Sequence, residues 1–196
     1  VIDITTHNKT GSIETEKIYK SNNINYIECP VMGGPVQAEE GVLGGIVGGS
    51  EADFELAKPY LKIFCKDYFY FGSVGMGAKS KLLNNFLSLG NGVLVNHLAK
   101  TAKELGLDLR KVFDVAKLGS GNSTALNRVF DNLLKGDFTG FKFTASNSVK
   151  DLTYIQDLLK DFPEAEKVAK INKNYFQKAV DEGYGKNFIS ELINKK

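Results

Sequence analysis

The stretch KSKLLNNFLSLGNG at residues 79 to 92 joins side chains that can move a proton to side chains that belong in a core. Leu82, Phe86, Leu89 and Val93 recur at i, i+4, i+7 and i+11, one stripe of an α-helix, and Leu83, Leu87 and Leu94 widen it beyond a single face. Such a helix is expected to be buried on most sides. Lys81, Asn85 and Ser88 fall at i, i+4 and i+7 and draw a polar line along it. A lysine in that place has two readings. It can lay its stem on the core and lift its amine to water. Partly desolvated, it can instead exchange a proton with an alcohol near neutral pH. Asn85 one turn on, the room left by Gly92 and a start at a glycine-rich seam bring the second reading level with the first.

Two further glycine loops could hold an anion. In PVMGGP at 30 to 35, Gly33 and Gly34 follow a strand pattern and expose consecutive backbone N–H groups that can hold a carboxylate or phosphate. The ordinary reading is a tight turn, and GSGNS at 119 to 123 has the same ambiguity. GSVGMGAKS at 72 to 80 approaches a phosphate loop, but Ala78 between Gly77 and Lys79 spoils the spacing, which leaves a hinge entering a helix. Gly-x-Gly-x-x-Gly occurs nowhere in the chain. Cys29 and Cys65 have neither Cys-x-x-Cys nor histidine spacing and read as buried small hydrophobes.

The elements that must position these residues change character along the chain. VIDI, INYIECPVM, GVLGGIVGG and KDYFYFG read as strands, alternating with helical patterns at SIETEKIYKSNN and SEADFELAKPYLKIF. Ser50 can cap the second helix, and Pro59 is expected to kink or split it. This is an α/β layer with partly parallel strands, small enough to be the second half of a doubly wound sheet. From residue 77 onward the patterns are helical only, punctuated at 106 to 109, 119 to 123, 135 to 140, 161 to 166 and 181 to 185. The expected domains are 1–74 and 75–196.

Composition narrows the partners. With 42% apolar residues, 24% charged residues and a formal charge of +2, the chain reads as globular and near neutral, with its lysines scattered among acids. No patch for nucleic acid is expected. No run reaches the ~20 apolar residues of a membrane span, and the cytoplasm is the expected compartment. Arg110 and Arg128 are the two arginines, so an anionic ligand would be held by lysine, hydroxyls or backbone amides.

Taken in order, DITT, CPVMGGP, Gly48-Gly49, Gly75-x-Gly77-x-x-x-Lys81-x-x-Asn84-Asn85, GLD at 106 to 108, GSGNS, DFTGFKF and KDL at 150 to 152 resemble the β-hydroxyacid dehydrogenases of the 3-hydroxyisobutyrate dehydrogenase-like group. The resemblance covers essentially the whole chain. It implies an α/β remnant of a Rossmann domain, followed by an all-α domain like the C-terminal helical bundle of 6-phosphogluconate dehydrogenase. It implies NAD or NADP as cofactor, a small carboxylate substrate such as a 3-hydroxy acid or its semialdehyde, and a homo-oligomer through the helical domain. By the same resemblance Lys81 is the general acid/base and Asn85 orients the substrate. Met32, Gly33 and Gly34 form the carboxylate loop, Thr6 touches the nicotinamide side, and Phe141 and Lys150 close over cofactor and substrate.

The chain departs from that pattern at Met32, where the family usually has serine, at His97, where glutamate is common, and at Asn187, which replaces a frequent aspartate. The first βα units and their glycine fingerprint are not in this sequence, so turnover by these 196 residues alone is expected to be impaired, with an open sheet edge favouring self-association. The competing expectation is a non-catalytic structural or dimerisation module. A small-acid-binding protein without redox chemistry stands third.

Overall fold

A computed structural model describes residues 1–195, the side chain of Lys9 apart. It forms two compact units, Val1–Asn85 and a second beginning at Phe86.

In the first unit, β1 (Ile2–Asp3), α1 (Lys9–Ser21) and β2 (Ile27–Glu28) make a parallel βαβ crossover, with Ile2 opposite Ile27 and Asp3 opposite Glu28. Asn8 begins α1 by accepting from the Gly11 N–H at 2.7 Å. Beyond Pro30 the same stretch continues as β3 (Val31–Met32), antiparallel to β4 (Leu43–Val47). One register runs through both halves, since Glu28 faces Gly48, Val31 faces Gly45 and Met32 faces Gly44. Pro30 has no N–H to give, yet its carbonyl accepts from Ile46 at 3.0 Å and keeps the ladder aligned. A short α2 (Pro35–Glu39) links β3 to β4.

Helix α3 (Glu51–Phe64), capped by Ser50 on the Asp53 N–H, crosses to β5 (Cys65–Tyr70), which pairs parallel with β4. Contrary to the expected break, α3 passes through Pro59 as one helix. Pro59 lies on its exposed face, where the carbonyl deprived of a partner can be hydrated. Ile27, Cys29, Val47, Phe54, Ala57 and Leu61 form the core between α3 and the strands.

The two cysteines, 36 positions apart, converge on Gly45, where a Cβ would meet Cys29 Sγ at 3.0 Å and Cys65 Sγ at 3.1 Å. Burial, with the Cys65 sulfur beside it, pushes the Cys29 thiol up to about 12. Cys29 is therefore expected to resist iodoacetamide near pH 8 in the folded chain and to alkylate once urea unfolds it. Equal labelling rates in both states, read by peptide mass, would contradict its burial.

Helix α4 (Met76–Glu104) leads into the second unit, which also holds α5 (Leu109–Leu118), α6 (Thr124–Leu133), α7 (Ala145–Leu159) and α8 (Pro163–Ala179). A wide turn at Val180–Tyr184 and a 3-10 turn at Ile189–Asn194 follow. Asp108, Ser123 and Thr144 cap α5, α6 and α7, the first two at breaks that the sequence marks and the third four residues past the break at 135 to 140. Val95, Ala99, Leu126, Val129 and the stacked Phe113 and Phe130 rings form a core here.

Helix α4 buries Leu82, Leu89 and Val93 of the expected stripe but not the leucines that widen it. Leu83, Leu87 and Leu94 are 49%, 65% and 69% exposed, while Lys81 and Asn85 are 8% and 9% exposed. A widened apolar stripe shows how much greasy surface a helix has, not which part of it the fold covers.

Candidate active site around Lys81

The site begins on β2. Glu28, 1% exposed, turns its carboxylate onto the start of α4, where Oε1 accepts from the N–H groups of Gly75 at 2.7 Å, Gly77 at 2.8 Å and Ala78 at 3.2 Å. The first N–H groups of a helix have no partner within it and carry its positive end, so a buried carboxylate satisfies both the bonding and the charge. Glycine is required at Gly77, because a Cβ there would stand 2.8 Å from the Ile46 carbonyl. Helix α4 is thereby seated on the sheet.

One turn further, the Lys81 ammonium donates to the Val31 carbonyl at 2.8 Å and meets Met32 Sδ at 3.3 Å. Asn84 Nδ2 approaches the same sulfur at 3.2 Å. Lys81, the first member of the polar line of α4, thus faces protein, on β3 itself. Gly33 has φ +119°, and a Cβ there would meet Leu43 Cδ2 at 2.8 Å, so the turn demands glycine. The Gly34 N–H is already engaged, donating to Gln37 Oε1 at 2.9 Å.

Thr6 lies three residues past the end of β1, in the segment that joins it to α1. Asp3 organises that end, accepting from the Thr5 N–H at 2.9 Å and the Tyr26 hydroxyl at 3.0 Å and facing His7 Nε2 at 3.0 Å. Burial works against its charge, but these hydrogen bonds outweigh it and hold the carboxyl below the usual range.

Phe141 and Lys150 belong to the second unit. The Phe141 N–H donates to Ser190 Oγ at 2.9 Å, and its ring stands 3.2 Å from where a Gly92 Cβ would be. Phe141 and Ile189 therefore fill the room at Gly92 that the sequence reading left for a ligand. Lys150 pairs with Asp151 at 3.1 Å and lies 5.7 Å from the centre of the Tyr154 ring. His97 packs on Tyr175, ring centroids 5.1 Å apart. Asn187 accepts through its carbonyl from the Ala145 N–H at 2.9 Å. Among the described residues no cluster of three or more His, Cys, Asp or Glu could hold a metal ion.

Sequence reasoning missed Glu28 and Gln37. An acid inside the apolar strand INYIECPV was the available signal for Glu28; for Gln37 there was none beyond its distance of three residues from Gly34.

Strands of this kind bind dinucleotides beyond their carboxyl ends. The pyrophosphate end has no glycine fingerprint here, and Asn8 already takes the Gly11 N–H at the start of α1.

A family described as the NAD-binding domain of NADP-dependent 3-hydroxyisobutyrate dehydrogenase matches residues 75–195, and one described as the NAD-binding domain of 6-phosphogluconate dehydrogenase matches residues 1–72. The chain is 29% identical over 141 residues to 2-(hydroxymethyl)glutarate dehydrogenase of Eubacterium barkeri, covering 71% of this chain and 47% of that protein. It is 32% identical over 120 residues to a probable mitochondrial 3-hydroxyisobutyrate dehydrogenase of Dictyostelium discoideum, covering 61% and 37%. The crystal structure of 3-hydroxyisobutyrate dehydrogenase from Salmonella typhimurium superposes with a TM-score of 0.89 at 26% identity, over 98% of this chain and 68% of that one. The chain spans about half the length of the curated relatives it matches. Both matched families are NAD-binding, so the cofactor class is NAD or NADP. A Rossmann-type sheet remnant, a helical domain and a family match over most of its length make this chain a member of the 3-hydroxyisobutyrate dehydrogenase-like β-hydroxyacid dehydrogenases.

Proposed function

We propose that this chain carries the acid/base half of an NAD(P)-dependent oxidoreductase acting on a small 3-hydroxy acid or its semialdehyde. The observation that carries the reading is the buried Lys81 ammonium, held at the Val31 carbonyl beside the Met32–Gly34 turn. The nicotinamide, when bound, supplies or accepts the hydride. In the oxidation direction Lys81 acts as the neutral amine, its own proton first given up to solvent, and takes the hydroxyl proton of the alcohol; in the reverse direction the ammonium returns that proton, exchanging its hold on Val31 for one on the substrate oxygen. Asn85 orients that oxygen, Thr6 contacts the nicotinamide side, and Phe141 and Lys150 are the family's closing residues.

Met32 gives the proposal its particular substrate prediction. A thioether is a poor partner for a carboxylate, and Gln37 occupies the Gly34 N–H. Met32→Ser is expected to lower KM for a 3-hydroxy carboxylate roughly tenfold, with kcat changed less, by adding one hydrogen bond to a charged group. An unchanged KM would remove Met32 from the substrate site.

A second reading, a structural or dimerisation module without catalysis, draws on the exposed Leu87 and Leu94 and on the lack of a pyrophosphate turn. Under either reading those leucines are the face through which we expect a homo-oligomer. Titration with NADH and NADPH, followed by nicotinamide fluorescence, separates the two when a form extended upstream is run beside this chain. Saturable binding by this chain supports the enzyme reading for the chain itself, binding by the extended form alone supports the module, and binding by neither refutes the oxidoreductase proposal.

A further inference from the structure

The helical unit contains a cavity that the dehydrogenase reading does not use. Its volume is about 380 Å³, within the range of small-molecule pockets. Lys100 from α4, Lys178 from α8 and Lys195 beyond the 3-10 turn all line it, together with His97, Tyr175 and Glu182. Glu182 is already ion-paired with Lys195. Among the described residues that line it, three ammoniums stand against one carboxylate.

That arrangement costs the protein electrostatic energy. Burial, then the charges of Lys195 and Lys178, pull the Lys100 ammonium below its ordinary pKa, and Glu104 and Glu182 only partly offset them. Lys100 reaches the Lys195 carbonyl at a long 3.4 Å. Tyr175 adds a neutral side chain to the lining. The Tyr175 hydroxyl accepts from Asn96 Nδ2 at 3.0 Å, and Asn96 is fully buried and anchored on the Ile189 carbonyl at 2.6 Å. The phenol oxygen is thereby held in place while its own proton is left to donate. Separate lysine point charges with no arginine fork suit the rounded charge of a phosphate-type group or a polycarboxylate better than one planar carboxylate.

We propose that this cavity binds a small multivalent oxyanion, with Lys100, Lys178 and Lys195 as counter-charges and the Tyr175 hydroxyl as a donor. Phosphate esters and polycarboxylates share this chemistry, and two probes distinguish them. The purified chain is titrated calorimetrically with inorganic pyrophosphate and separately with citrate, each against chloride at matched ionic strength. Saturable binding of either probe with Kd below about 1 mM is expected. Lys178→Met should weaken it roughly tenfold, and Lys100→Met with Lys178→Met should bring it to the limit of detection. The preferred probe names the anion class.

No saturation of either probe up to about 10 mM overturns the proposal. Binding that survives in the double variant overturns it as well, since a pyrophosphate held elsewhere, at a dinucleotide site included, would not depend on these lysines. Lys178 is exposed, so the single variant tests the site even if the double variant fails to fold; a melting temperature within about 2 °C of the parent verifies it. The readout is binding, and its failure would leave the proposed dehydrogenase chemistry standing.

Discussion

Lys81→Met, in a form of the enzyme that turns over a 3-hydroxy acid, is expected to lower kcat by about 10²–10⁴-fold while leaving the Kd for NADH or NADPH within about twofold, the range that removal of one general acid/base produces. Methionine keeps an unbranched stem of similar length, so the packing of α4 on β3 survives and only the ammonium goes. The loss should fall on kcat because the proton transfer belongs to the transition state, whereas the bond to Val31 belongs to the resting protein. Lys81→Arg sharpens the test. Its guanidinium keeps the charge but cannot give up a proton near neutral pH, so it should be nearly as slow. If kcat survives in either variant, Lys81 is a packing residue and the acid/base lies elsewhere.

Glu28→Ala is expected to cost about 3 kcal/mol or more of stability, because three buried N–H groups lose their acceptor and each unsatisfied donor costs about 1–3 kcal/mol before relaxation. The urea midpoint should fall with little change in slope, which is the mark of lost stability and not of an altered unfolded state. Glu28→Gln retains a carbonyl oxygen in the same place and gives up only the charge facing the helix start, so it should cost about 1 kcal/mol. An unfolding free energy for Glu28→Ala within about 0.5 kcal/mol of the parent would mean that α4 is held on the sheet by something other than this carboxylate. The two experiments separate what Glu28 and Lys81 do. Glu28→Gln should melt earlier yet keep its kcat at temperatures where it is folded, and Lys81→Met should do the reverse.

Where each residue's partners lie along the chain explains which of these roles were legible. The helix that carries Lys81 was readable because its periodicity is local, and so were the breaks at Asp108 and Ser123, whose side chains act on N–H groups two or three residues ahead. Glu28 acts on residues 47, 49 and 50 positions away, and nothing near it in the chain announces that partnership. Gly92 shows the same limit from the other side. Its missing side chain was plain to see, but Phe141 and Ile189 come from distant segments to fill the space. Cys29 and Cys65 read as two separate buried thiols until β4 brought both to Gly45.

By itself the sequence determined most of the order of strands and helices, though not the short α2 or the division of INYIECPVM into β2 and β3, together with the change from α/β to all-helical texture and the presence of one lysine and one asparagine on a single helical line. These follow from backbone propensities and from side-chain spacings of a few residues, which any short segment expresses alone. Only the tertiary structure decided that this polar line is buried while the leucines beside it are exposed, that Met32 and Val31 are what Lys81 touches, and that Gln37 closes Gly34. It also gathered Lys100, Lys178 and Lys195 around one cavity. The physical reason is that burial and electrostatics depend on which surfaces meet in space, and a helix with apolar residues on several sides leaves that choice to its neighbours.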